Sequence, residues 1–471
     1  MWPSRKGNGE FKNPDPEDRG YVQGNAYDAG VSPVLKQEKG NIAKIAAHAW
    51  QPVCRMVAGD KGHPTYGSRS ARVIEATTRL PLALPPPRGQ PGPMQDPWFD
   101  AVPDRRGTWS EKWDQARPDE LPLWVADMDF RAAEPILSAL RARLDHGVLG
   151  YPHVPASLLA AVAEHQRVAH GWAVDPAWIV PLPGLVCGLH VVAQAVGEAG
   201  SGVLTTTPIY PPFLTTPSAC GRRTQHLALD PEQQWIIDPA ALTAAVDADT
   251  RALWLCQPHN PTGRIFTATE LQAVAELAEA RDLIVVSDEI WADLVLDRHA
   301  QHRPFAHTCP SAAYRTITLT SPSKAWNIPG LGCAFAIISD PELRSRVVQA
   351  KGRAIPDVNI LGLIAAEAAY SSGGEWLRRC RDYLRANRDH LAHRLHGVPQ
   401  IRWQPGAATY LAWLDVRQCG VPDAARAVRR AGLFLSDGAY FGAPGWLRLN
   451  FGCSRATLDQ AIDRLLRALT P

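Results

Sequence analysis

The sequence predicts an α/β protein in which a large domain with a mostly parallel sheet flanked by helices is joined to a smaller α+β domain. Three observations carry this expectation. From residue 120 onward, short apolar runs alternate with amphipathic segments, the pattern that strands and crossover helices leave in a chain. Four of the runs are dense in apolar and β-branched residues: Ala252-Leu-Trp-Leu-Cys256, Leu283-Ile-Val-Val-Ser287, Thr316-Ile-Thr-Leu-Thr320 and Cys333-Ala-Phe-Ala-Ile-Ile338. Such runs suit strands buried on both faces. Near the end, Trp446-Leu-Arg-Leu-Asn450 reads as a strand, and Leu458, Ile462, Leu465 and Leu469 follow at helical spacing, which marks the smaller domain.

Between the first two runs lies a helix. Thr267-Ala-Thr-Glu270 is a capping box, and Leu271, Val274 and Leu277 share one face behind it. Strand, helix, strand makes a parallel crossover unit. At 471 residues with 45% apolar content, the chain is long enough for two domains and a sizeable core. Its 49 basic and 47 acidic side chains nearly cancel, which argues against a nucleic-acid surface. The nine cysteines show no CxxC pair or regular framework, so buried thiols in a reducing compartment are expected, with no metal site. No apolar stretch is long enough to span a bilayer and no signal peptide is recognisable; a soluble cytoplasmic protein is expected.

The N-terminal part differs in character. Six of the nine lysines precede residue 94, leaving Lys112, Lys324 and Lys351 for the rest. The part closes in Leu82-Ala-Leu-Pro-Pro-Pro-Arg-Gly-Gln-Pro-Gly-Pro93, which can continue neither a helix nor a central strand. Residues 1–93 therefore read as a disordered or non-native extension, with Met94 as a candidate natural start. The expected division is then 94–149 as the N-terminal part of the small domain, 150–372 as the large domain and 373–471 as the C-terminal small domain.

Ligands of open parallel sheets bind beyond the carboxyl ends of the strands. Asn260 in Asn-Pro-Thr-Gly, Asp288 after Val285-Val286-Ser287, and Lys324 in Ser321-Pro-Ser-Lys324 all stand there. Taken singly, each has an ordinary explanation as a turn, a helix cap or a solvated charge. Together they set an amide, a carboxylate and an amine at successive strand ends. A chain with 40 arginines uses arginine for solvated charge, so a lysine kept between serines and Ala-Trp suggests chemistry that arginine cannot perform, above all imine formation.

Asn260-Pro-Thr-Gly263, Ser287-Asp-Glu-Ile290, and Ser321-Pro-Ser-Lys324 with Asn327-Ile-Pro-Gly-Leu331 resemble, in order and spacing, the motifs of fold-type I pyridoxal-phosphate (PLP) enzymes, the class I/II aminotransferase superfamily with the aspartate-aminotransferase-like fold. The resemblance covers about residues 95–470. It implies that Lys324 carries PLP as an imine, that Asp288 partners the ring nitrogen and that Asn260 donates to the ring hydroxyl. Gly184, Leu185 and Val186, in Pro183-Gly-Leu-Val-Cys-Gly188, would bind the phosphate through backbone amides at a helix start, with Ser321 and Ser323 adding hydroxyls. Tyr210 matches the aromatic residue stacked on the ring, and Arg448 the arginine that grips the substrate α-carboxylate. Tyr151 resembles the tyrosine that reaches into the neighbouring subunit's site, which implies a homodimer with shared active sites.

Within the superfamily, Arg105-Arg-Gly-Thr-Trp-Ser-Glu-Lys-Trp-Asp114 followed by Leu123-Trp-Val-Ala-Asp-Met-Asp-Phe130 resembles the carbon–sulfur lyases of the MalY and PatB type of cystathionine β-lyase. Many transaminases carry an arginine eight residues after the PLP lysine; here that position is Gly332. The resemblance thus implies α,β-elimination from cystathionine or a related cysteine thioether, giving thiol, pyruvate and ammonia, with Lys324 as the base and Tyr151, Tyr210 or Lys324 protonating the sulfur. An aminotransferase is the alternative. Three residues after Asp288 the family often has Tyr or His, whereas this chain has Trp291, whose indole donates but cannot accept a proton. PLP folds also occur in transcription regulators, but residues 1–93 lack the paired amphipathic helices and basic face such a regulator needs.

Overall fold

The computed structural model describes residues 96–470; the expectation for residues 1–93 lies outside them. The chain enters through a short pairing, β1 (Leu121–Pro122), and two helices, Glu134–His146 and Ala156–His170. β2 (Ile179–Leu182) then opens the large sheet, which continues with β3 (Gly202–Thr207), β4 (Arg223–Ala228), β5 (Thr250–Cys256), β6 (Ile284–Asp288), β7 (Thr316–Thr320) and β8 (Ala334–Ile337). These strands lie in the order β2-β8-β7-β6-β5-β3-β4.

The neighbours β4-β3-β5-β6-β7 are all parallel. The predicted crossover is present: β5 and β6 pair in parallel, and the helix Ala268–Ala280 joins them. Its capping box forms as expected. The Thr267 side chain accepts from the Glu270 amide, and the Glu270 carboxylate accepts from the Thr267 amide. β6 begins one residue later than the sequence suggests and runs on to Asp288. β8 is a strand within the expected run but pairs antiparallel with β7. The segment joining them contains only a short helical turn, Pro329–Leu331, and antiparallel neighbours need no crossover helix.

β7 and β8 are buried along their length, and β5 is buried at every position but Arg251, as a sheet covered by helices on both faces requires. Helices Leu185–Ala195 and Pro341–Lys351 pack together over the core that holds Trp254, Val286 and Leu319. The opposite face is closed by Ala268–Ala280 through Leu271, Val274 and Leu277. Beyond the helices Ile360–Ser372 and Gly374–Leu395 come β9 (Leu411–Asp415), β10 (Leu433–Phe434), β11 (Ser436–Asp437) and β12 (Trp446–Asn450). β11, β12 and β9 form an antiparallel sheet. The final helix, Arg455–Leu469, buries Leu458, Ile462, Leu465 and Leu469, the stripe read from the sequence. β10 pairs in parallel with β1, so the first described strand joins the C-terminal region. The eight cysteines among the described residues are free thiols, and six are buried.

Candidate active site

β5, β6 and β7 are adjacent and parallel, so the residues that follow them share one edge of the sheet. Asp288 ends β6. It is buried, one carboxylate oxygen accepts from the Ile290 amide at 3.0 Å, and burial raises its pKa to about 7 despite the nearby Lys324 charge. Lys324 lies four residues past β7, and its amine donates to the Ala126 carbonyl at 2.7 Å. Burial lowers that amine to about 8; the carboxylates of Asp127, Asp288 and Glu111 oppose the shift and Arg448 adds to it. An amine so placed gives up its proton near neutral pH, which a nucleophile or general base needs.

Between β7 and Lys324, the Ser321 hydroxyl donates to the Cys333 carbonyl at 2.6 Å and accepts from the Ser323 amide at 3.1 Å. Its single O–H is thereby committed to shaping the turn, while the Ser323 hydroxyl makes no hydrogen bond among the described residues. β2 runs in the same direction as β7, and Gly184 follows it as the residue before the helix Leu185–Ala195. No side chain caps that helix. The amides of its first turn, including those of Leu185 and Val186, are therefore available to an anion.

The opposite wall is a strap, residues 124–130, laid across the site. Its carbonyls receive donors from distant parts of the chain. Ala126 accepts from Lys324 and, at 3.0 Å, from the Tyr410 hydroxyl. Trp124 accepts from the Arg448 guanidinium at 2.8 Å. Asn450 donates to Val125 and Asp127, both at 2.6 Å, and Asn327 donates to Met128 and Phe130. Outside the strap, Arg105 pairs with Asp127 and Asp129 at 2.6 and 2.7 Å, while buried Lys112 and the Trp113 indole add bonds to Asp129.

Arg448, in the middle of β12, is buried and sits over the Phe441 ring at 4.6 Å. One guanidinium nitrogen donates to the Asn260 side-chain oxygen at 3.0 Å, and Nε has no hydrogen-bond partner among the described residues. Burial lowers its pKa to about 10. A buried arginine with a donor to spare suits a carboxylate. Asn260 spends its oxygen on Arg448, which leaves its amide N–H₂ as a donor.

Residues 120–465 match the family of class I and II aminotransferases. The chain belongs to this family. It is 37% identical to the cystathionine β-lyase PatB of Bacillus subtilis over 386 residues, 79% of this chain and 100% of PatB. The crystal structure of OvoB is similar at TM-score 0.77 and 42% identity, covering 79% of this chain and 99% of that one. Cystalysin from Treponema denticola, whose structure contains pyridoxal 5'-phosphate, is similar at TM-score 0.75 and 29% identity, covering 79% and 98%.

Lys324, Asp288, Asn260, Arg448 and Trp291 lie together in one cluster. Trp291 is buried, with the Lys324 amine 5.8 Å from its ring centre and Tyr410 packed edge-on at 4.8 Å. Tyr210 precedes the helix Pro211–Ala219; burial raises its pKa, and the Arg448 and Asp288 charges both act on it. Tyr151 is not part of this chain's own cluster: its side chain is fully exposed. Gly332 has φ +55°, and a Cβ there would stand 2.7 Å from the Pro183 carbonyl oxygen. The backbone therefore has no room for an arginine at this position.

Sequence reasoning missed Tyr410 and the strap carbonyls. Tyr410 and Ala126 are 284 residues apart and no local pattern links them. A second layer also escaped it. Glu289 bonds Ser287 and His302 beneath Asp288. The Asp293 carboxylate accepts from His165 at 2.7 Å and His170 at 3.1 Å, tying the turn that bears Trp291 to the helix Ala156–His170.

Proposed function

We propose that the chain is a PLP-dependent carbon–sulfur β-lyase that cleaves cystathionine or a related cysteine thioether to thiol, pyruvate and ammonia. The observation that carries this reading is the placement of Lys324 and Arg448 on carbonyls of one strap, Ala126 and Trp124. Two residues of backbone span at most about 7 Å, so a base and a carboxylate binder flank a space the size of an amino acid. The full-length similarity to PatB supports the same reaction.

The residues present fit PLP. An uncapped helix start and the Ser323 hydroxyl would hold the phosphate, Asn260 the ring hydroxyl, and Tyr210 a ring face. Asp288, a buried carboxyl whose charge is disfavoured until a cation arrives, would hold the protonated ring nitrogen. Trp291 supplies an indole N–H or a wall of the pocket. When bound, PLP supplies an electron-accepting ring that stabilises the negative charge left on the substrate α-carbon.

The protein's part in the reaction is positioning and proton transfer. Arg448 grips the substrate carboxylate with the donors it has to spare and so fixes the α-carbon. The Lys324 amine, neutral in a useful fraction near pH 8, takes the α-proton. The β C–S bond then breaks with its electron pair on sulfur, and a proton from Lys324, Tyr210 or Tyr410 yields the thiol. Water completes the release of pyruvate and ammonia.

We further propose a cytoplasmic homodimer in which Tyr151 enters the partner's site. No helix among the described residues is long and apolar enough to cross a membrane. Leu144, Val148 and Leu149 are exposed beside Tyr151, an apolar surface of the kind a second copy covers. The pairing of β1 with β10 supports grouping 94–149 with 373–471 as the small domain and 150–372 as the large one.

Borohydride reduction of the PLP-loaded protein followed by peptide mapping tests the anchor, and thiol release from L-cystathionine tests the reaction. Label on the Lys324 peptide and release of thiol with pyruvate are expected. Label elsewhere, or an oxo acid formed from the intact amino acid without thiol, would overturn the proposal.

A further inference from the structure

The Ala126 carbonyl receives two donors, the Lys324 amine at 2.7 Å and the Tyr410 hydroxyl at 3.0 Å. A carbonyl oxygen has two lone pairs, so this one is filled. Asn450 holds the carbonyls of Val125 and Asp127 on either side, which fixes the direction in which the Ala126 oxygen points.

Tyr410 is fully buried, and the segment that delivers it is stitched to two strand ends of the large sheet. The Ala408 amide donates to the Gly263 carbonyl at 2.9 Å, the Thr409 amide to the Leu294 carbonyl at 2.9 Å, and the Leu296 amide to the Ala407 carbonyl at 2.8 Å. Gly263 closes the turn that begins at Asn260, and Leu294 and Leu296 follow Trp291. Thr409 is buried with φ +70°, a left-handed conformation that is an outlier for a β-branched residue. Strain of this kind persists where the surroundings over-determine the backbone, and it clusters at functional sites. The Tyr410 ring packs edge-on against Trp291 at 4.8 Å, and the Trp291 ring centre is 5.8 Å from the Lys324 amine. Burial pushes the Tyr410 phenol well above its usual value, so it remains a donor.

Lysine carries its amine on a flexible four-carbon stem. On an unshared carbonyl that amine can settle on either lone pair; with one lone pair taken, a single position is left. We propose that Tyr410 is a positioning residue for the base: its hydroxyl fills one lone pair of the Ala126 oxygen and so confines the free Lys324 amine to one dock on the substrate side. This rests on the β-lyase reading and deepens it, because the Tyr410 proton is committed to Ala126 and protonation of the sulfur falls to Lys324 or Tyr210.

Tyr410→Phe tests this, since it keeps the ring against Trp291 and removes the hydroxyl. In the PLP-loaded variant, the unfolding temperature and the visible absorbance of the bound cofactor are expected to match those of the native protein. Two rates are expected to fall together by about tenfold, the worth of one hydrogen bond. One is thiol release from L-cystathionine, lowered through kcat with KM unchanged. The other is α-proton exchange of L-alanine in heavy water, which isolates proton removal because alanine has no group to eliminate. In the cofactor-free protein, where Lys324 stands on Ala126, acetylation read by peptide mapping is expected to label Lys324 several-fold faster in the variant. Alanine exchange at the native rate with slowed thiol release would make Tyr410 the proton donor to sulfur and overturn the inference. Native rates of exchange and labelling would overturn it too, and so would a lowered unfolding temperature or a lost cofactor absorbance, which would assign Tyr410 to the scaffold. Absence of thiol release from the native protein would remove the lyase reading instead, and the labelling comparison, which needs no turnover, would still decide whether Tyr410 confines the amine.

Discussion

The cofactor end and the substrate end of the site are built in different ways. The cofactor end is assembled from strand ends along one edge of the large, mostly parallel sheet: Asp288 closes β6, Lys324 follows β7 by four residues, and Gly184 follows β2. Each group is placed by the few residues around it. The substrate end has no such local origin. Arg448 from β12, Tyr410 before β9 and Asn450 all bond to carbonyls of a strap more than 280 residues away in sequence. The first end depends on a sheet buried on both faces, and the second on a tertiary closure held by Arg105, Lys112 and Asn327.

Substitutions can break this contrast. The largest effect is expected for Lys324→Ala, which removes the one amine of the cluster among the described residues: the visible absorbance of the bound cofactor should shift from that of an imine, and thiol release should fall to background. Next is Arg448→Lys. Losing a bidentate grip and leaving Asn260 under-bonded should lower kcat/KM by about a hundredfold, mostly through KM, as steady-state thiol release would show. Trp291→Phe keeps the wall and removes one donor; a two- to tenfold loss in kcat/KM is expected, about the worth of one hydrogen bond.

A pH-dependent measurement sharpens the contrast at the cofactor end. In the cofactor-free protein, burial holds the Asp288 carboxyl at about 7, against an ordinary value of 3.8. Between about pH 4 and 7 the native state therefore keeps a proton that the unfolded chain has released, so this group makes stability fall as pH rises across that window. Chemical denaturation of cofactor-free protein at pH 5 and pH 7 should show the fall, and Asp288→Asn should flatten it. A fall of equal size in both proteins would place its origin elsewhere.

What was legible in the sequence follows the same division. Asn260, Asp288 and Lys324 could be read because strand ends are marked by the switch from apolar to polar residues, and the helix Ala268–Ala280 because its capping box is local. The direction of β8 could not, since a strand buried on both faces has the same composition whichever way it runs. Arg448 was reached only through resemblance; nothing in Trp446-Leu-Arg-Leu-Asn450 distinguishes a carboxylate binder from a salt bridge. Tyr410 left no signal at all, because its role comes from the Ala126 carbonyl and not from its neighbours. The committed hydroxyl of Ser321 was equally hidden, its partner being a carbonyl twelve residues on.

The central claim is that this constellation eliminates sulfur from the substrate and does not exchange its amino group. The most direct measurement is the product ratio when PLP-loaded protein is incubated with L-cystathionine and an oxo-acid amino acceptor. The proposed function predicts thiol and pyruvate in equal amounts, with the acceptor unchanged. Amination of the acceptor without thiol would contradict it.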